Sequence, residues 1–437
     1  MIKQYPDYKN SEIPWIVKIP SHWEVTKSKY LIKKIQTGST PSTNKSEYFD
    51  GNISWFTPGD FRDQKELVKS SRTVSELALR NNEVRLHSKG TVLLVGIGAT
   101  LGKVAILRER ATFNQQITGI ETNNLIDEEY YYYWLLINRE TIMEIANYTT
   151  LPIINNQFIR GFLSIVPPIE EQRIIVSYLN KNILEINTLL EDKEKLIELL
   201  EEKRQAIITE AVTKGINPDV KMKDSGVDWI GEIPEHWDIS RIKYQSEINV
   251  EVLSEKTNPD LELNYIDIAS VNSLGGIDNI ETYLFKNAPS RARRVVRDGD
   301  TIVSTVRTYL RAITWIESPK SNLVCSTGFA VLRPIRKSIH PKYLSYLMRS
   351  TYFIDEIVRR STGVSYPAIT ASEIGLLECL LPPMNEQRDI VEKLEQQFDH
   401  IDNVVVAIKK QIEKLKEYRQ SLIYEAVTGK IDVRDYI

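Results

Sequence analysis

Five histidines and two cysteines give the chain no evident reaction centre. His22, His87, His236, His340 and His400 are scattered, without the spacing of a zinc site, and no Ser–His–Asp order stands out. The glycine-rich run Gly96-Ile97-Gly98-Ala99-Thr100-Leu101-Gly102-Lys103 invites comparison with a phosphate loop. Laid on that pattern, Ile97 falls at the first glycine and Val104 at the closing serine or threonine, and a strand-like segment follows instead of a helix. The pairs Pro167-Pro168 and Pro382-Pro383 lack the preceding Asn or Asp and the following aromatic of an amino-methyltransferase motif. What remains is binding chemistry. Arg291, Arg293, Arg294, Arg297, Arg307 and Arg311 crowd one stretch, and guanidinium groups suit phosphates and guanine edges. Such a run is commonly only a solvated face. The sequence predicts no catalytic residue and no metal site in this chain.

The elements that must carry any such contacts are set by repeats. Residues 167–216 open Pro167-Pro168-Ile169-Glu170-Glu171-Gln172-Arg173 and close Glu210-Ala211-Val212-Thr213-Lys214-Gly215. Residues 382–431 open Pro382-Pro383-Met384-Asn385-Glu386-Gln387-Arg388 and close Glu425-Ala426-Val427-Thr428-Gly429-Lys430. Glu171 becomes Glu386 and Glu210 becomes Glu425, an offset of 215 at both ends, so no gap intervenes. Each copy reads as one long helix, with prolines before the first turn and glycine where a helix stops. Apolar residues recur at steps of four and three: Leu179, Ile186, Leu190, Ile197 and Leu200 in the first copy, Leu394, Ile401, Val405, Ile412 and Leu415 in the second. Lys193 and Arg204 interrupt the first seam, and Arg419 stands at the position of Arg204. This is a heptad seam in one register. About forty-four residues at ~1.5 Å each make a rod of roughly 66 Å, and the other copy is the obvious partner for its seam.

At 437 residues the chain has room for two or three domains with sizeable cores. Its net charge of −3 and pI of about 6.1 do not advertise nucleic acid globally, although acid concentrated on the helices can mask a basic surface elsewhere. Cys325 and Cys379 form no disulfide framework and fit a reducing compartment. The N-terminus has no signal-peptide core and no apolar run approaches a membrane span, so a cytoplasmic location is expected.

A second repeat supplies leaders. Trp15-Ile16-Val17-Lys18-Ile19-Pro20-Ser21-His22-Trp23 returns as Trp229-Ile230-Gly231-Glu232-Ile233-Pro234-Glu235-His236-Trp237. These read as packing segments that dock at a domain edge, not as sites. Between each leader and its helix lies a variable region. The first carries Thr37-Gly38-Ser39-Thr40, a glycine-rich β stretch over 90–106, Phe113-Asn114-Gln115-Gln116-Ile117-Thr118, a Tyr-rich helix at 130–136, and Asn155-Asn156-Gln157. The second shares little sequence with it but has the same plan. Gly299–Ser304 parallels Gly90–Val95, Val324–Phe329 parallels Phe113–Thr118, and Lys342–Leu347 parallels the Tyr-rich helix.

Two dissimilar regions alternating with two near-identical helices, both opening P-P-x-x-E-Q-R, resemble the specificity subunit of type I restriction–modification systems over essentially the whole chain. The run "TGSTPS…EYFDGNISWFTPGD…GATLGKVAI…FNQQI" adds to the likeness; the second region departs from it at every one of these places. The resemblance implies an α+β fold: two globular α/β target-recognition domains separated by two long helices paired as an antiparallel coiled coil, with pseudo-twofold repetition. The corresponding division is 1–166 and 217–381 for the recognition domains, with spacer helices at 167–216 and 382–437. It implies further that each domain reads one half of a bipartite site in double-stranded DNA. Two methyltransferase subunits and motor-nuclease restriction subunits would be the partners, and S-adenosylmethionine, ATP and Mg would belong to them, with no cofactor in this chain. Polar loop groups can bond base edges and lysine suits phosphate. The expected DNA contacts are therefore Ser39, Thr40, Lys45, Thr57, Arg62, Lys103, Gln115 and Gln116 in the first domain, with Arg291, Arg293, Arg294, Arg307 and Tyr366 in the second. A related system whose partner fuses methylation and cleavage, or a helical scaffold without DNA readout, are the alternatives.

Overall fold

The computed structural model describes residues 3–62, 64–146, 153–363 and 366–436. It divides into two compact units. Unit one is Met1–Glu191 with Gln411–Ile437, and unit two is Asp192–Lys410. Two long helices, Ile169–Lys214 and Met384–Val427, therefore each contribute a segment to both units. Among the described residues no helix is long and apolar enough to cross a membrane.

The units share one plan. In unit one a five-stranded sheet runs in the order Ile32–Thr37, Ile117–Thr122, Val92–Val95, Val104–Leu107, Glu66–Leu67. Unit two repeats the first four places with Ser246–Ile248, Phe329–Pro334, Thr301–Ser304 and Ile313–Trp315. A second sheet in each unit is built on one parallel pair: Thr112–Phe113 beside Phe49–Phe56, and Leu323–Ser326 beside Glu262–Ile266. The central strands Val92–Val95 and Thr301–Ser304 are buried along their whole length. That is why neither shows the polar and apolar alternation of a half-buried strand.

The tyrosines of Glu128–Ile137 are core. Tyr130 to Leu135 are all buried, and a helix apolar all round must be enclosed. Asp127 caps it, accepting from the Glu129 and Tyr130 amides at 2.9 and 3.1 Å. The Tyr130 hydroxyl donates to the Val427 carbonyl at 3.0 Å. Pro341–Arg349 is the counterpart, and there the Tyr343 hydroxyl donates to the Leu380 carbonyl at 3.2 Å and reaches Val212 at 3.5 Å.

The leader repeat closes onto the helix ends. Glu171 accepts from the Tyr5 hydroxyl (2.5 Å), His22 Nε2 (2.8 Å) and Trp23 Nε1 (3.0 Å). Glu386 meets His236 Nε2 (2.7 Å) and accepts from Trp237 Nε1 (3.1 Å). The glutamine that follows ties the helix start to the loop before the inner helix. Gln172 accepts from the Asp127 amide and Gln387 from the His340 amide, both at 2.8 Å. The far helix ends pack on the same tryptophans. A Cβ on Gly429 would sit 2.4 Å from Pro20 and 2.9 Å from the Trp23 ring, and one on Gly215 3.2 Å from the Trp237 ring. Both glycines also hold positive φ, +72° and +77°, so Gly429 is required by space and by backbone, and Gly215 chiefly by backbone. The P-P-x-x-E-Q-R and I-P-x-H-W signatures are thus two halves of one clamp.

The seam residues face inward. Leu179, Ile186, Leu190, Leu394, Ile401, Val405 and Ile412 are buried, while Ile197, Leu200 and Leu415 are half-buried. In unit two Gly215 lies by Glu386 and Arg204 pairs with Asp402, so one helix descends as the other rises and the segments run antiparallel. Arg204 also lies 4.9 Å over the Phe398 ring. In unit one Arg419 donates to Asn187 at 2.6 Å. Asn187 and Asp402 stand one repeat apart, as do Arg204 and Arg419. The polar interruptions are therefore one cross-helix contact used twice. A polar group in a seam can fix register.

Candidate nucleic-acid interface

Three chain segments converge at the ends of two interior strands of the main sheet in each unit, through the same backbone bonds. In unit one the Gly96 amide donates to the Gln116 carbonyl (2.8 Å) and the Ile154 amide donates to the Gly96 carbonyl (2.9 Å). In unit two the Thr305 amide donates to the Gly328 carbonyl (2.8 Å) and the Ile369 amide to the Thr305 carbonyl (2.9 Å). The bridges Ile97–Ile153 and Val306–Ala368 repeat as well. These equivalences shift the parallel drawn from sequence by one residue. Asn114 Oδ1 caps the Gln116 amide, and Ser326 Oγ caps the Gly328 amide. Thr327, not Ser326, therefore occupies the place of Gln115.

In unit one the convergence forms a cleft of about 350 Å³ lined by Thr37, Gln115, Gln116, Thr118, Asn156 and Gln157 with nearby backbone. Asn156 Oδ1 accepts from Thr37 Oγ1 at 3.3 Å and Thr118 Oγ1 at 3.4 Å, and exposed Thr40 donates to Gln115. Gln116 Oε1 accepts from Asn114 Nδ2 at 3.0 Å. Amides and hydroxyls that satisfy one another at a surface can exchange those bonds for base edges. Thr40, Gln115 and Gln116 are thus brought together. Thr37, Asn156 and Gln157 belong with them and are absent from the residues expected from sequence. Asn155-Asn156-Gln157 was visible there as an amide run, but nothing in its spacing places it beside Gln115.

The other expected residues of unit one lie elsewhere. Ser39 is committed to the fold: its hydroxyl donates to the Glu83 carbonyl (2.6 Å) and its carbonyl accepts from Trp55 Nε1 (3.0 Å). Thr57 forms a capping box with Asp60. Burial raises the Asp60 pKa, but the Thr57 and Ser71 amides outweigh it and hold the carboxylate below its usual range. Exposed Arg62 follows the same turn, and Lys103 Nζ donates to the Phe61 carbonyl at 2.9 Å. Lys45 Nζ donates to the Tyr48 hydroxyl at 3.1 Å.

In unit two Arg307 and Tyr366, distant in sequence, meet: the guanidinium lies 4.7 Å from the ring centre, a cation–π contact. Exposed Arg291 is next to the equivalent turn, its carbonyl accepting from the Thr327 amide at 2.8 Å. Arg293 stacks on Phe285 at 4.7 Å. Arg294 points inward to Asn249 Oδ1 at 2.8 Å, and burial pulls its pKa down. Arg297 forms a two-pronged pair with Glu251 at 2.7 and 2.6 Å. The arginine run thus mixes structural groups with Arg291 and Arg307, which stand at the convergence. Among the described residues no group of His, Cys, Asp and Glu could hold a metal ion.

The sequence matches the type I restriction modification DNA specificity domain twice, over residues 20–199 and 234–414. The chain belongs to that family. Each specificity domain match takes in a leader tryptophan, a three-segment convergence and part of a long helix. The MjaVIII specificity subunit of Methanocaldococcus jannaschii is 22% identical, over 100% of this chain and 99% of its own. The EcoDI specificity subunit of Escherichia coli is also 22% identical, over 95% and 90%. A solved chain from a study of type I R-M complex assembly and conformational transition superposes with a TM-score of 0.68 at 18% identity, covering 94% of this chain and 99% of that one. The HsdS subunit of Thermoanaerobacter tengcongensis gives 0.52 at 20% identity, covering 96% and 100%. The chain is thus a type I specificity subunit, a DNA target-recognition protein of α+β fold, and its relatives are specificity subunits.

Proposed function

We propose that this specificity subunit recognises a bipartite target in double-stranded DNA, one half through the convergence of each unit. It thereby directs two methyltransferase subunits and motor-nuclease restriction subunits to that target. S-adenosylmethionine, ATP and Mg act in those partners, and the chemistry of methylation and cleavage is theirs. The observation that carries this reading is one backbone scaffold holding two unlike side-chain sets. At the convergence one unit presents amides and hydroxyls (Thr40, Gln115, Gln116, Asn156) and the other arginine and tyrosine (Arg291, Arg307, Tyr366). A scaffold kept constant while its displayed chemistry changes suits two different half-sites, because base edges are read by the groups displayed.

The adenine methylome of the host, compared with the gene intact and deleted, tests this reading. A motif of two short blocks separated by an unread gap should vanish on deletion; an unchanged methylome in a strain that expresses the complex counts against it. With the motif in hand, Arg307→Ala is expected to weaken binding of a duplex carrying it by about 10- to 100-fold, as for loss of a guanidinium contact. Gln115→Ala should weaken it less and relax discrimination in the other half-site. Titrations that match the parent protein would remove those residues from the interface.

A further inference from the structure

The turn that follows strand Thr301–Ser304 keeps the backbone frame of its counterpart in unit one but carries other side chains: Arg307 and Arg311 stand where unit one has Gly98 and Gly102, both also at positive φ. Arg307 and Arg311 bracket it, both in the left-handed region (φ 50°, ψ 47° and φ 56°, ψ 31°). Neither is glycine, and non-glycine residues hold that conformation only where the surroundings impose it. The surroundings do so here. The Arg307 amide donates to the Pro367 carbonyl at 2.8 Å, the Leu310 amide to the Arg307 carbonyl at 2.8 Å, and the Arg311 amide to the Thr308 carbonyl at 3.1 Å. Thr308 is buried, with its hydroxyl 2.9 Å from Ser361 Oγ.

This bracing raises two adjacent large side chains out of the fold. Tyr309 is 52% exposed and Leu310 45%, and Tyr366, at 64%, lies under the guanidinium of Arg307, which opens the turn. At the equivalent place unit one carries Thr100-Leu101, and there the leucine is buried, so no large side chain is offered to the outside. Neighbouring exposed apolar groups on a rigid support flanked by two cations match one kind of occupant. Apolar wedges partly unstack a base step while flanking arginines meet phosphate. An aromatic ring adds a stacking surface that every base can use.

We propose that Tyr309 and Leu310 form a wedge that enters a base step of the DNA half-site bound by unit two. This half-site is then read partly through its deformability, and the other by direct contact alone. The proposal rests on the DNA-binding reading above. Flexible pyrimidine–purine steps are the cheapest to open, so the site should contain one under the turn.

The test uses the full chain with its co-purified subunits and duplexes carrying the motif from the methylome, with 2-aminopurine placed at successive steps of each half-site. Away from the target adenines, which methyltransferase subunits themselves flip out of the stack, the parent protein should raise fluorescence severalfold at one step of a single half-site, reporting unstacking. The double variant Tyr309→Ser with Leu310→Ser should abolish that rise, weaken binding by about 10- to 100-fold and leave the salt slope unchanged, since no charge is removed. Arg307→Ala should instead reduce the salt slope. Both sites are on the surface, so thermal melting should match the parent. A double variant that binds and unstacks DNA like the parent overturns the wedge while leaving DNA recognition intact. So does one that keeps its DNA affinity but no longer co-purifies with a protein subunit, which would make the turn a protein contact. If the parent complex fails to bind the duplex at all, the DNA-binding reading fails, and the wedge with it.

Discussion

Glu171→Ala is expected to cost unit one about 3–5 kcal/mol, from the three groups it leaves without an acceptor. The Tyr5 hydroxyl and Trp23 Nε1 are buried against Glu171, and His22 closes the set. A buried donor that loses its partner pays its full desolvation cost, about 1–3 kcal/mol each. Burial and the neighbouring carboxylate already push the Tyr5 pKa well up, so ionisation of the tyrosine offers no escape. Calorimetry or denaturant melting should show the transition of unit one fall by roughly 10 °C for a unit of this size. Glu171→Gln should fall between, because it keeps an acceptor oxygen but turns an amide donor toward the others. Glu386→Ala should cost less, about 2–3 kcal/mol, since among the described residues its hydrogen bonds are to His236 and Trp237 and its histidine is exposed. Equal and small losses at both glutamates would show that the leaders are held by apolar packing alone.

The second large effect belongs to the helix seam, and it should be graded. Leu394 and Leu179 are fully buried. Leu394 sits in the main core of unit two with Trp237, Tyr343 and Ile390. Aspartate at either position places an unpaired carboxylate in a closed core, among the most damaging single changes, at about 4–5 kcal/mol or more. Leu200 and Leu415 are only half-buried, so aspartate can turn toward water there, and each should cost about 1–2 kcal/mol. Changing Leu200 and Leu415 together should loosen the helix pair without unfolding either sheet. Hydrogen exchange resolved along the helices would read this directly. The same loss at Leu200 as at Leu394 would mean that the seam is enclosed evenly, against the burial seen here.

The seam and the repeated plan were legible because they rest on periodicity and on identity between copies. Leu179 to Ile412 fall inward as the steps of three and four require. The leaders were legible as packing segments but not as a clamp: nothing in I-P-x-H-W says that its histidine and tryptophan share one carboxylate of P-P-x-x-E-Q-R. The candidate interface was legible only in part. Arg307 with Tyr366, and Thr40 with Gln115, come together because residue type drew attention to each. Ser39, Thr57 and Arg294 carry the same chemistry but spend it on Glu83, Asp60 and Asn249. Hydrogen-bonding capacity shows in a sequence; whether the fold has already used it depends on strands that only pairing brings close. Thr37 and Asn156 were missed for that reason, each mattering through neighbours far away in the chain.

The division of the chain into units also orders events in time. Unit two is continuous, Asp192–Lys410, and every residue it needs is joined to the chain before the last turns of the second long helix, Gln411–Val427. Unit one joins Met1–Glu191 to Gln411–Ile437, which are made before and after unit two. The Tyr130 hydroxyl waits for the Val427 carbonyl, the Tyr8 hydroxyl for that of Gly429, and the Lys3 carbonyl for the amide of Asp432. At about 5–20 residues per second, the first recognition domain spends tens of seconds as an unclosed body while its neighbour finishes. A chain cut short near residue 410 would keep all of unit two and leave unit one open at the clamp.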